Sequence, residues 1–121
     1  MPQFKFRPNT LLKIRQRERD QLRQTLAESL RMEAALGVEE WDLQESLNQS
    51  RDRTRRLVGE SFDFAALAAH RRHAAQLRKQ RNEIREAREE WKVEIERRTE
   101  RLEQAGQKVK MLEKLKDKQY A

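Results

Sequence analysis

The stretch of sequence that decides the fold runs from Leu67 to Leu112 and reads LAAHRRHAAQLRKQRNEIREAREEWKVEIERRTERLEQAGQKVKML. Alternating steps of three and four residues along it meet an apolar side chain at ten of fourteen positions. The apolar positions are Leu67, Ala74, Leu77, Ile84, Trp91, Ile95, Leu102, Ala105, Val109 and Leu112, and the polar ones are His70, Arg81, Arg88 and Arg98. This sustained spacing predicts the seam of a coiled coil, and it argues against disorder because a solvated chain has no reason to keep phase.

The first half of the chain carries a weaker version of the same ladder, with seven apolar positions in fourteen. The apolar steps are Leu12, Leu22, Leu26, Leu36, Leu43, Leu47 and Leu57, and the polar steps are Arg15, Arg19, Ser29, Glu33, Glu40, Ser50 and Thr54. A second apolar track, Leu30, Ala34, Val38 and Trp41, lies beside the first. The seam is therefore expected to shift phase near Gly37, with both Trp41 and Trp91 inside it.

A few residues that break or cap helices predict the start and end of the first helix. Pro8 disfavours helical structure at Arg7, so Asn9 or Thr10 is expected to cap the first helix. Gly59 is expected to end that helix in a left-handed conformation.

The second helix is expected to begin at Asp63, a good N-cap residue, with Phe62 and Leu67 at the two positions of a hydrophobic staple. Short connections make neighbouring helices antiparallel. The fold class is therefore predicted to be all-α: a single domain over residues 1–121, built as a long antiparallel two-helix coiled-coil hairpin. Its helices cover about 10–57 and 63–118, with the turn at 58–62. Arg81, Arg88 and Arg98 are expected to form ion pairs with glutamates across the seam.

Composition excludes several classes of protein. Charged residues make up 40% of the chain and the mean hydropathy is −1.17, so a large globular core is out of reach. The longest apolar run, Phe64–Ala69, is far shorter than the roughly 20 residues that a membrane span needs. Cysteine is absent, and no apolar segment follows the N-terminal charges as in a signal peptide. A cytoplasmic protein is expected.

Nothing in the sequence predicts catalysis. There is no glycine-rich phosphate loop, and two paired helices offer no deep pocket in which catalytic side chains could converge. His70 and His73 have a spacing found in metal sites, but two ligands are too few. We therefore expect no enzyme activity, no cofactor and no metal.

The N-terminal segment resembles the opening of the FliJ family of flagellar export proteins. The resemblance lies in Phe4-Lys5-Phe6-Arg7, in Thr10-Leu11-Leu12-Lys13-Ile14-Arg15 and in Arg17-Glu18-Arg19. Trp91 and the segment Met111-Leu112-Glu113-Lys114-Leu115-Lys116 agree with the order of features in that family. Family members continue beyond this last motif as a basic helix, whereas this chain stops at Ala121.

The resemblance implies a non-enzymatic component of the bacterial flagellar type III protein export apparatus. Such proteins fold as an antiparallel two-helix coiled coil similar to the stalk of rotary ATPases. The implied partners are the hexameric export ATPase, the cytoplasmic domain of the export gate, and export chaperones. The implied location is the cytoplasmic face of the inner membrane, reached through the apparatus and without membrane insertion.

Two candidate surfaces follow. The first holds residues that folding of the hairpin explains least, and we expect it to bind the ATPase: Phe4, Phe6, Arg7, Leu11, Leu12, Arg15 and Arg19. Arg15 and Arg19 give the strongest support for this surface, because they occupy ladder positions where apolar residues are expected. The second, expected to meet the export gate, comprises Trp41, Phe62, Phe64 and His70.

Two alternative functions remain open. One is the equivalent coiled-coil stalk of a virulence injectisome. The other is non-specific binding of nucleic acid, suggested by a net charge of +7 and by eight basic against three acidic residues in positions 1–31. Acidic residues interrupt the basic block, so sequence-specific DNA recognition is not expected.

Overall fold

A computed structural model describes residues 7–60 and 63–120 of the chain. It contains two helices, α1 (Pro8–Glu60, 53 residues) and α2 (Phe64–Tyr120, 57 residues), which pack against each other. The described residues form no strand, so the predicted all-α hairpin is confirmed. Both helices extend beyond the predicted 10–57 and 63–118, by up to three residues at an end, except that α2 begins one residue later than predicted.

The start of α1 differs from the predicted cap. The carbonyl of Arg7 accepts hydrogen bonds from the backbone N–H groups of Thr10 (2.9 Å) and Leu11 (3.1 Å), so Arg7 is the residue that caps the helix. Asn9 and Thr10 lie inside the first turn. The reason is Pro8, whose fixed φ and missing N–H suit the first helical position.

At the connection between the helices, the predicted N-cap of α2 is present, but the predicted end of α1 is not. Gly59 remains helical, and no glycine among the described residues has a positive φ, so the expected left-handed helix end at Gly59 is wrong. Asp63 caps α2 as predicted: its Oδ1 accepts hydrogen bonds from the N–H of Ala65 (3.0 Å) and Ala66 (3.4 Å). Phe62, the other half of the expected staple, lies outside the described residues.

Both ladders read from the sequence are the buried faces of their helices. All fourteen ladder positions of α1 and all fourteen of α2 are buried or half-buried. The second apolar track of α1 is not buried. Its residues are all exposed: Leu30, Ala34, Val38 and Trp41. The expected phase shift near Gly37 is therefore wrong, because α1 keeps one phase and places Glu33 and Glu40 in the seam rather than the apolar residues beside them.

The chain divides into two compact units, and each helix contributes a segment to both. One unit comprises Met1–Arg31 with Val93–Ala121; its most buried side chains are Leu12, Ser29, Ala105 and Val109. The other comprises Met32–Lys92, with Leu47, Ser50 and Leu67 buried. Neither helix, over its described length, has a stretch apolar enough to cross a membrane.

Candidate functional site

Arg88 is the centre of an ion-pair cluster between the helices in unit Met32–Lys92. Its guanidinium lies 2.6 Å from Glu33 Oε1 through Nη2 and 3.5 Å from Glu40 Oε1 through Nη1. Arg85 approaches the other oxygen of Glu40 at 3.6 Å. As residue numbers rise along α1 they fall along α2, which makes the helices antiparallel here. The predicted pairing of Arg88 with glutamates across the seam is confirmed.

Gly37 makes room for this arginine. A Cβ at position 37 would lie 3.2 Å from Nη2 and 3.3 Å from Cζ of Arg88. Gly37 stands between Glu33 and Glu40 on α1, so the guanidinium lies across bare backbone with a carboxylate on each side. The hydrogen bond to Glu33 and the charges of both glutamates raise the pKa of Arg88 above its usual value, although desolvation opposes this. The cluster has a structural role, because its charges are mutually satisfied.

Arg98 makes a different contact in the other unit. Its Nη1 donates a hydrogen bond to the backbone carbonyl of Thr25 on α1 (2.6 Å), and its Nε donates to Glu94 on its own helix (2.9 Å). Ser29 is fully buried on α1, one turn after Thr25, and its hydroxyl donates to the carbonyl of Leu26. Arg98 was expected to pair with a glutamate across the seam, and the contact seen there is a hydrogen bond to the main-chain oxygen of Thr25.

Stability should fall in acid partly through Glu94. Hydrogen bonding to Arg98, and the nearby charges of Arg98, Arg97 and Arg101, hold the pKa of Glu94 below its ordinary value of 4.5. In the folded protein the group therefore releases its proton more readily than in the unfolded chain. Its contribution is complete above about pH 4.5 and is lost as the pH falls through the lower, folded pKa.

We expect Glu94→Gln to lower the melting temperature at neutral pH. Its stability should also fall less steeply than that of the parent chain as the pH is lowered. Thermal melting monitored by circular dichroism across this pH range measures both effects. Glu90→Gln makes the same chemical change at an exposed glutamate one turn earlier and serves as the control, which should melt as the parent chain does at neutral pH. If stability falls as steeply on acidification in Glu94→Gln as in the parent chain, Glu94 does not contribute to the loss of stability in acid.

Arg81 differs from Arg88 because its hydrogen-bond acceptors are neutral amide side chains. Its Nη1 donates to Gln44 on α1 (3.1 Å) and its Nη2 donates to Asn82 (3.3 Å). Its Nε is buried and makes no hydrogen bond to protein atoms in the described part of the chain. The expected glutamate partner is absent among these contacts, so the positive charge of Arg81 is not compensated as that of Arg88 is.

The predicted ATPase-binding surface is only partly accessible. Leu12 is buried in its unit and belongs to the core, so its side chain is not available to a partner. Leu11 is half-buried and Arg7 is exposed. Phe4 and Phe6 lie outside the described residues.

Arg15 and Arg19, which stand on the seam ladder of α1, pair with neighbours on their own helix. Arg15 Nη1 contacts Glu18 at 3.0 Å, and Arg19 Nη2 contacts Asp20 at 3.4 Å. Both arginine side chains are partly exposed, at 34% and 23%. Their stems lie along the half-buried stripe while their charged ends reach toward solvent.

The second predicted surface does not form one patch. Trp41 is 64% exposed and lies outside the seam, contrary to expectation, while Trp91 is half-buried on the ladder as expected. Phe64 is 76% exposed. His70 is half-buried and lines a groove with Thr54 of α1. Trp41 precedes Thr54 by thirteen residues, or about 20 Å of helix, so the structure does not bring Trp41 together with His70.

That groove, in unit Met32–Lys92, is a feature the sequence analysis did not identify. It has a volume of about 430 Å³ and lies between the helices near their connection. Its rim carries four exposed arginines, hereafter the rim arginines: Arg51, Arg55, Arg71 and Arg78. A count of charge by segment would have indicated it, because residues 49–81 contain nine basic and three acidic side chains.

Comparisons with known proteins give no match: no family model, no curated protein and no solved structure is significantly similar to this chain. Within residues 7–60 and 63–120, no three histidine, aspartate or glutamate side chains are grouped so that they could hold a metal ion.

Proposed function

We propose that the chain is a non-enzymatic adaptor of the bacterial flagellar type III export apparatus. In this proposal it connects the hexameric export ATPase with the cytoplasmic domain of the export gate and binds export chaperones. It acts at the cytoplasmic face of the inner membrane without entering the bilayer. The proposal is supported by the family-like N-terminal segment and by a two-helix hairpin of the kind that the resemblance implies.

The observation that carries the proposal is the placement of Arg15 and Arg19. Folding of the hairpin favours apolar residues at these ladder positions, yet both are arginines within the family-like opening. Each is held by a partly exposed carboxylate on its own helix, and such pairs exchange partners at a cost of about 1 kcal/mol or less. An acidic or polar lining of an ATPase ring could therefore take over both guanidinium groups, with Leu11 beside them as an apolar contact.

The export gate is assigned to the other unit. Phe64 presents an aromatic ring at the start of α2, and an exposed aromatic side chain is a common anchor at protein interfaces. Trp41 forms a separate exposed apolar site on α1 together with Val38. Trp41 lies nineteen residues before the end of α1, or about 28 Å of helix, whereas Phe64 stands at the start of α2. We therefore assign Phe64 to the gate and Trp41 to an export chaperone.

The double charge reversal Arg15→Glu/Arg19→Glu tests the ATPase assignment. We expect the affinity for the hexameric export ATPase to fall about tenfold, because two attractive contacts become repulsive. Helical circular dichroism should be nearly unchanged, since neither charge stabilises the seam. Titration of the ATPase with labelled chain measures the affinity.

The matched control is Lys13→Glu/Arg17→Glu, which makes the same change in net charge at two exposed positions in the same turns. This control should bind with close to parental affinity. Equal losses in both pairs would indicate that only net charge matters. Normal ATPase binding by the test pair, combined with loss of binding in Phe64→Ala, would show that the opposite end of the hairpin meets the ATPase. No binding by the parent chain would reject the function itself.

A further inference from the structure

One of the two strongly basic segments of this protein lies where the two helices are joined. Residues 49–81 carry nine basic and three acidic side chains, an excess of six, compared with an excess of five in positions 1–31. In the antiparallel hairpin these residues come from the last turns of α1 and the first turns of α2. The fold therefore brings together two basic segments that are separate in sequence, and a field of one sign over a groove attracts anions.

The groove described above lies within this basic region and is built from both helices. The rim arginines come in pairs, Arg51 and Arg55 from α1, Arg71 and Arg78 from α2. No carboxylate of the described residues lines the groove. The charges around it are thus unopposed locally, in contrast to the cluster where Arg88 is neutralised by two glutamates.

Two residues that line the same groove each have a buried polar atom without a hydrogen-bond partner among the described residues. Ser50 is 4% exposed, and its hydroxyl makes no hydrogen bond to protein atoms in the described part of the chain. The Nε of Arg81 is likewise buried and without such a bond, while its two Nη atoms are held by Gln44 and Asn82. Buried polar groups are nearly always hydrogen-bonded, so two orphans lining one basic groove indicate an acceptor that the chain itself does not supply.

We infer that this groove binds a phosphate-type oxyanion, which accepts hydrogen bonds from the Ser50 hydroxyl and Arg81 Nε and is surrounded by the rim arginines. A phosphate fits this set better than a single carboxylate, because it carries more charge and more acceptor oxygens for guanidinium donors. The volume of the groove suits a small ligand or a headgroup. The inference is independent of the proposed export function.

The phosphate could belong to a free small anion or to a lipid headgroup, and two probes distinguish these sources. Inorganic pyrophosphate tests the free anion by titration calorimetry. Vesicles of phosphatidylcholine with and without phosphatidylglycerol test the headgroup by co-sedimentation. Binding of either probe supports the inference if it depends on the groove residues, and the probe that binds identifies the source.

Two substitutions test dependence on the groove without disturbing the seam. Ser50→Ala removes the orphan hydroxyl at unchanged net charge, and we expect it to weaken binding about threefold. Arg78→Gln removes an exposed rim charge and should weaken binding about tenfold. Both variants should keep the melting temperature of the parent within a few degrees, so that loss of binding cannot be attributed to unfolding.

The controls are Ser46→Ala and Arg53→Gln, an exposed serine and an exposed arginine that line the neighbouring groove instead. Both should bind as the parent does. If Arg53→Gln weakens binding as much as Arg78→Gln, and Ser50→Ala has no effect, attraction is by diffuse charge and the inference is overturned. Failure of the parent chain to bind either probe at moderate salt overturns it as well.

Discussion

Val109→Asp is expected to unfold most of the helical structure of this protein. Val109 is 1% exposed and is the largest fully buried side chain among the described residues. An aspartate there loses the apolar burial of valine and places an unpaired carboxylate between the helices of its unit. Together these effects cost at least about 3 kcal/mol, a large share of the total stability of a small domain. Helical circular dichroism and thermal melting measure the result.

The matched control is Val93→Asp. It makes the same chemical change on the same helix, but Val93 is 47% exposed. We expect a melting temperature close to that of the parent, because the new carboxylate remains in water. If both variants melt alike, the assigned buried face of α2 is wrong.

The second large effect is expected from Arg88→Met. Methionine keeps the apolar stem but removes the guanidinium, which leaves Glu33 and Glu40 without their shared partner. Removing one member of a half-buried ion pair is more damaging than replacing the whole set, because the remaining charges stay in the seam. The melting temperature should fall by several degrees, and melting followed by circular dichroism measures it.

Neutralising the stranded carboxylates should reverse much of that loss. In Arg88→Met/Glu33→Gln/Glu40→Gln we expect a melting temperature above that of Arg88→Met alone, although each glutamine change alone lowers the stability of the parent. This non-additivity is the signature of groups that act as a unit. Strictly additive effects would show that the three side chains do not form the cluster described here.

Much of the fold was predictable from residue types and their spacing. Steps of three and four residues identified every buried ladder position on both helices, even where the step fell on Ser29, Glu33 or Ser50. The N-cap at Asp63 was equally readable, since it depends on one side chain and the two N–H groups that follow. Local chemistry of this kind operates within a few residues and does not depend on what the other helix presents.

The candidate surfaces were less predictable, because exposure depends on the partner helix. Trp41 and Val38 form a better apolar track than Glu33 and Glu40, so hydrophobicity alone placed the wrong pair in the seam. Glu33 and Glu40 lie in the seam instead, because the guanidinium of Arg88 pairs with both carboxylates. Leu12 was expected both on the seam ladder and on the ATPase-binding surface, and its own unit buries it.

By itself, then, the sequence determined the class of fold and the phase of the α2 seam, because these follow from periodicity along one chain. In α1, where two tracks compete, packing against Arg88 decided which positions face inward. Only the tertiary structure gave Gly37 its role, because the missing Cβ makes room for Arg88, an arginine 51 positions later. It alone also brought Ser50 and Arg81 to one groove, where each has a buried polar atom to which no described residue is hydrogen-bonded. Such features arise from distances between residues far apart in sequence, and those distances exist only once the two helices have packed.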